Sequence, residues 1–275
     1  MSVPRRTIAR PVAAAGEGIH TASPAAVTLR PADAGSGIVF HRADLRAAPA
    51  IPARFDHVTD TRRGVTLGAS GASVRTVEHL LAACSGLGIT DLHVEVRGEE
   101  LPALDGSAAP YCALLAEAGV VSLDARVEPL RPSEPVWVGA AEASLLAVAA
   151  PALRVTYVVP LRHPALGPAL SADLVLTEEV FVREVAPART WGFAAELGAL
   201  RAEGLARGAS TANALVVGPP GYLNPPRWPD EPARHKILDL LGDLALVGRP
   251  LAAHLIAVGA GHRLHVAFAR ALAGG

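Results

Sequence analysis

A chain of 275 residues, 51% of them hydrophobic and 19% charged, folds around a substantial core and is long enough for two small domains or one large one. Its 25 basic residues balance 26 acidic ones, so there is no surplus of positive charge to hold nucleic acid or an anionic membrane. Two cysteines, Cys84 and Cys112, cannot build a disulfide framework or a four-thiolate zinc site, and they point to a reducing, cytoplasmic setting.

Arg5 and Arg6 begin the chain like a signal peptide, but Arg10 and Glu17 interrupt the apolar core that would have to follow. Residues 27–30 and 38–40, and the alternation of Leu92, Val94 and Val96 with His93 and Glu95, predict half-buried strands. Val77, Leu80, Leu81 and Cys84 fall at helical spacing over 75–84, a helix ended by Gly86 and Gly88. Asp105, Gly106 and Ser107 form a turn that opens a second helix over 108–118. Charge and proline then cluster at 123–135, the candidate linker. The same order follows: strand-like runs at 136–138, 155–159 and 174–176, then helices over 192–205 and 233–246 with an irregular proline-dense loop at 219–232. A last helix starts near Arg263, behind Gly259 and Gly261. The longest apolar stretches, 145–159 and 244–258, are broken by Pro151 and Arg154 and by Arg249, Pro250 and His254, so neither spans a bilayer as about 20 apolar residues would. Sheet followed by helices, twice over, predicts an α+β fold of two similar domains, 1–125 and 126–275.

His235 and Asp239 are four apart in a helical pattern, which puts them one turn apart on one face, as two ligands of a single metal ion require. A solvent-side ion pair has the same spacing. Glu78 and His79 can border one cleft, one ligating and the other handling protons, or form an ordinary surface pair. Together, His79, His235 and Asp239 make the three-ligand set of an open catalytic zinc site, with Glu78 as the carboxylate beside it. Asp243, one turn past Asp239, can hold an imidazole in place or join an ion pair. His262 follows two glycines at a helix start, where backbone N–H groups favour anions; a plain N-cap is the alternative. Thr190 offers a hydroxyl for an oxyanion, or a local turn. Lys236 is the only lysine among 25 basic residues, and its compact ammonium is not interchangeable with arginine's planar fork.

Ordered blocks tie these residues together: Gly16-Glu17-Gly18-Ile19-His20-Thr21, Thr28 to Ala32, Thr76-Val77-Glu78-His79 with the helix after it, and Gly86-Leu87-Gly88-Ile89. Pro102 to Pro110 through Asp105-Gly106-Ser107, Ala188-Arg189-Thr190-Trp191-Gly192-Phe193, His235 to Asp243, and Gly261-His262 complete them. With them the chain resembles the UDP-3-O-acyl-N-acetylglucosamine deacetylases, the zinc enzymes of the committed step of lipid A biosynthesis, over essentially its whole length. The resemblance implies two α+β domains whose helical layers face each other across the active site. It implies that His79, His235 and Asp239 hold Zn2+, a set that Fe2+ can also occupy, and that Glu78 is the general base. His262 is implied as the cationic general acid supported by Asp243, Thr190 as the oxyanion donor, and Lys236 as a substrate contact. Phe193 and the segment 208–214, with Ser210, are implied to line a passage for the acyl chain. The expected partner is a small-molecule UDP-linked acylated amino sugar, and the expected state a cytoplasmic monomer. Glu196 stands where the family often has Asp, Arg62 and Arg63 where apolar residues also occur, and Pro232 just before the ligand helix. A same-fold amidase acting on another acylated sugar and a binding homologue without catalysis are the alternatives.

Overall fold

The computed structural model describes residues 2–140 and 142–274. Two five-stranded mixed sheets dominate it. The first runs in the order Val12–Glu17, Pro24–Arg30, Leu92–Arg97, Ile38–Arg42, Ala50–Pro52, and the second in the order Val136–Ala140, Ala143–Ala149, Ala253–Val258, Arg154–His163, Gly167–Val175. In both, the one parallel pairing joins the central strand to the third strand of its half, Ile38–Arg42 with Leu92–Arg97 and Arg154–His163 with Ala253–Val258. The order along the chain repeats as well: four sheet strands, a three-stranded insert, a helix, the central strand and a final helix.

The helix that precedes each central strand is Glu78–Gly86 in the first half and Glu231–Leu244 in the second, and these two pack directly on each other. Behind them, Ala109–Ala118 lies on strand Val12–Glu17 and His262–Gly274 lies on strands Val136–Ala140 and Ala143–Ala149. One hydrophobic core therefore runs through both halves, joining Leu29, Leu80 and Leu115 to Ile237, Leu255 and Phe268. The α+β plan read from the alternation of sheet and helix patterns is the observed one.

Three local expectations need correction. Val120–Val127 is a strand paired antiparallel with Val3–Ile8, so the irregular stretch placed at 123–135 begins only at Glu128. Its charged alternation reflects a pairing with one strand alone, which leaves much of it exposed. The helix placed over 192–205 is reduced to Leu197–Ala202: Trp191–Phe193 is instead a strand, paired parallel with Leu215–Gly218. The proline-dense segment 219–232 contains the short strand Gly221–Tyr222 and the start of the Glu231–Leu244 helix. Pro232 is inside that helix's first turn, where its missing N–H costs nothing.

Gly242 sets how closely the two central helices meet. A Cβ at this position would overlap the backbone carbonyl of Glu78 on the facing helix, which cannot rotate away. Gly242→Ala is therefore expected to destabilise the fold by about 1–3 kcal/mol, the usual cost of overpacking. That is a fall of roughly 2–10 °C in Tm by thermal unfolding. An unchanged Tm would show that the helices separate freely.

Candidate active site

The Glu78–Gly86 helix is aimed by a buried carboxylate. Glu100 accepts from Thr76 Oγ1 at 2.9 Å, just ahead of the helix, and from His20 N–H, Thr21 N–H and Thr21 Oγ1 at 2.7–3.0 Å. Its partners are hydroxyls and backbone amides, all donors, so an ionised carboxylate is well satisfied there. It ties the Gly16 to Thr21 segment to Thr76, whose φ of +56° turns the chain sharply before Glu78 and His79. Gly18 has to be glycine because a Cβ would overlap the Glu100 carboxylate.

Across the interface, the Glu231–Leu244 helix presents His235 and Asp239. Candidate ligand atoms of His79, His235 and Asp239 all lie within 4.8 Å of one another, and all three residues are buried. Asp239 Oδ1 is 3.3 Å from His235 Nε2 and 3.8 Å from His79 Nε2. His235 Nδ1 donates to the Ala188 carbonyl at 3.0 Å, which fixes the ring and leaves Nε2 free to face the other two. The opposite Asp239 oxygen accepts from Lys236 Nζ at 2.7 Å.

Electrostatics divide the cluster into neutral and charged members. Burial lowers both imidazoles, His79 to about 3, so both are uncharged at neutral pH as metal ligands must be. Burial alone would raise Asp239, but His235, Lys236, His262 and His79 hold it well below the ordinary carboxylate range. Two neutral nitrogens and one carboxylate suit a borderline divalent cation.

Glu78 and His262 are the pair whose protonation is displaced in useful directions. Burial pushes Glu78 up to about 7, with Asp243 and Asp239 adding to it and His262 opposing. Its Oε2 accepts from Val65 N–H at 3.0 Å. Burial pulls His262 down, but Asp243, Asp239 and Glu78 outweigh it and raise the imidazole to about 9. The largest of these opposing influences is direct: His262 Nδ1 donates to Asp243 Oδ2 at 2.7 Å. A buried carboxyl poised near neutrality facing a persistent imidazolium can remove one proton and deliver another.

Around this cluster lies a cavity of about 420 Å³, lined by Glu78, His79, Thr190, Lys236 and His262 among others. Phe193 and Ser210 do not line it. They line a second, more apolar cavity of about 450 Å³ with Ala194, Leu197, Leu200 and Val216, and the two cavities share Ile19, His20, Arg63, Thr190 and Trp191. Arg63 and Glu196, both singled out in the sequence, meet here: Arg63 Nη2 donates to Glu196 Oε2 at 2.8 Å across the two halves.

Three site residues were not given roles from the sequence. His20 donates Nε2–H to the Arg63 carbonyl at 3.1 Å and accepts Ala206 N–H at Nδ1, so it pins both cavity walls. Trp191 lines both cavities, and its Nε1 is buried without a partner among the described residues. His265 is buried behind His262, one helical turn on, and that i,i+3 spacing is the signal that could have found it.

Comparison with known proteins agrees over the same span. A family model described as UDP-3-O-acyl N-acetylglycosamine deacetylase matches residues 5–274. The proteins named UDP-3-O-acyl-N-acetylglucosamine deacetylase in Thermosynechococcus vestitus and Trichormus variabilis are 45% and 42% identical to this chain, covering 98% and 97% of it and 94% and 97% of their own lengths. The protein of that name in Anaeromyxobacter dehalogenans is 44% identical over 97% of this chain and 86% of its own length.

Proposed function

The chain belongs to the UDP-3-O-acyl N-acetylglycosamine deacetylase family, and on that premise we propose that it hydrolyses the N-acetyl amide of UDP-3-O-acyl-N-acetylglucosamine to acetate and the free amine, in lipid A biosynthesis. The observation that carries the reading is the convergence of two neutral imidazoles, a carboxylate, a near-neutral Glu78 and a cationic His262 on one cavity.

In this reading His79, His235 and Asp239 hold Zn2+, or Fe2+ in its place. Zinc, when bound, supplies Lewis acidity toward water and the amide carbonyl. Glu78 takes the proton of the attacking water, with Val65 N–H holding its other oxygen still. Thr190 gives its hydroxyl to the oxyanion that forms at the carbonyl, and the charge on His262 stabilises the same oxygen. His262 then passes its proton to the departing amine, while Asp243 keeps the ring oriented. Lys236 meets the polar part of the substrate. Phe193 and Ser210, in the adjoining apolar cavity, receive the acyl chain.

No helix among the described residues is long and apolar enough to cross a membrane. The same reading takes the protein as a cytoplasmic monomer with the domain boundary at 125/126.

The test is turnover of the nucleotide substrate by zinc-loaded protein, with acetate and the deacetylated product followed by mass spectrometry against simple N-acetyl sugars. Release of acetate from the simple sugars alone, or no turnover at all, overturns the assignment.

The pH dependence follows from the two displaced groups. Glu78 has to be unprotonated and His262 protonated, so the rate rises as pH climbs through the Glu78 pKa and falls as it passes the His262 pKa. A bell results, with limbs below about 7 and about 9, because a divalent cation nearby favours the anion and disfavours the imidazolium. Asp243→Asn removes the charge that does most to hold His262 up, so its basic limb is expected at lower pH with zinc content unchanged. A basic limb that stays in place separates Asp243 from His262.

A further inference from the structure

Asp243 is fully buried, and its two oxygens are used unequally. Oδ2 accepts from His262 Nδ1 at 2.7 Å and from His265 Nδ1 at 2.8 Å, while Oδ1 is buried with no partner among the described residues. Two imidazoles converging on one oxygen is a lopsided use of a carboxylate, which offers lone pairs on both. Something holds it in this orientation.

The constraint comes from a third element. His265 Nε2 lies 2.9 Å from the hydroxyl of Tyr157, on strand Arg154–His163, and that hydroxyl also reaches the Ala260 carbonyl at 2.7 Å. Ala260 belongs to the turn that delivers His262. Tyr157 and His265 are both buried, and the two imidazoles meet edge to face with ring centroids 5.9 Å apart. Burial lowers the His265 pKa, and because a carboxylate oxygen only accepts, the imidazole gives its Nδ1–H to Asp243, while the Tyr157 hydroxyl, donating to the Ala260 carbonyl, packs against Nε2.

We propose that His265, backed by Tyr157, is a positioning residue: its Nδ1–H clamps Asp243 so that Oδ2 faces His262, and so aims the imidazole that protonates the leaving amine. The proposal rests on the role given to His262 above, but the clamp itself is a matter of geometry that can be observed without turnover.

The experiment compares His265→Leu, His265→Asn and Tyr157→Phe in the zinc-loaded protein. Asparagine's amide donates from nearly the position of the imidazole Nδ1, whereas leucine fills space and donates nothing. His265→Leu is expected to lower kcat by roughly 10-fold or more, as loss of orientation does, with KM and zinc content unchanged. His265→Asn is expected to recover most of that loss. In the downfield proton NMR spectrum, the carboxylate-bonded His262 Nδ1–H signal should persist in wild type and His265→Asn and broaden or disappear in His265→Leu. Should the leucine variant fail to fold, Tyr157→Phe carries the test, with the same signal weakened and kcat several-fold lower.

Equal kcat losses in the leucine and asparagine variants, or an unchanged His262 signal in the leucine or phenylalanine variant, overturn the clamp. If wild type shows the signal and the clamp-dependent loss of it but no deacetylation, the clamp stands and the assigned reaction fails.

Discussion

Alanine at any one of His79, His235 or Asp239 is expected to leave the protein folded but unable to retain its metal. An open site with three protein ligands has none to spare, and even partners one shell further out change metal affinity by about 10–100-fold. Asp239 should be the most severe of the three. It is the shared anion of His235, His79, His262 and the Lys236 ammonium, which bonds to it at 2.7 Å. Its removal leaves an ammonium and an imidazolium facing an incoming cation with no negative ligand to receive it. Metal content after exhaustive dialysis, with circular dichroism as the check on folding, reads the result. Near-stoichiometric zinc in one of the variants would remove that residue from the ligand set.

Glu78→Ala is expected to do the opposite: keep the metal and lose turnover by about 10²–10⁴-fold, the range for a general base. Glu78 is 2% exposed, and no second carboxylate among those lining the cavity is free, because Asp239 is engaged with Lys236 and the two imidazoles. Glu78→Gln is the sharper probe. It preserves the volume and an oxygen for the Val65 N–H but has no basic oxygen to offer, so it should lose nearly as much as alanine. Activity within a few-fold of wild type in either variant means that the base lies elsewhere.

Several features of this protein follow from nearest-neighbour pattern and needed no tertiary information. The period-two runs around Val27 and Val94 and the helical spacing through Leu80 and Leu81 announce sheet and helix. Their recurrence after residue 136 announces the repeat, which the two sheets display in strand order and in the placement of the parallel pair. Within one helix, an i,i+4 interval places His235 and Asp239 on one face whatever surrounds them, because helical geometry is set by the backbone. The motif blocks carried the resemblance to the deacetylases, since such blocks hold the residues a site cannot exchange.

Pairing across long intervals was decided only by the fold. Trp191–Phe193 becomes a strand because Leu215–Gly218 arrives beside it, against the helical reading of the alanine- and leucine-rich run that follows. Val120–Val127 becomes a strand because the chain's first strand reaches it. The polar side chains behave alike: Arg63 meets Glu196, Glu100 gathers Thr76 with His20, and His265 reaches Tyr157, each across an interval that no local period encodes. Periodicity reports which face a side chain occupies. Which partner waits on that face, and hence which imidazole is neutral and which is charged, depends on two helices from opposite halves meeting at Gly242, where burial and neighbouring charge set the protonation of Glu78 and His262.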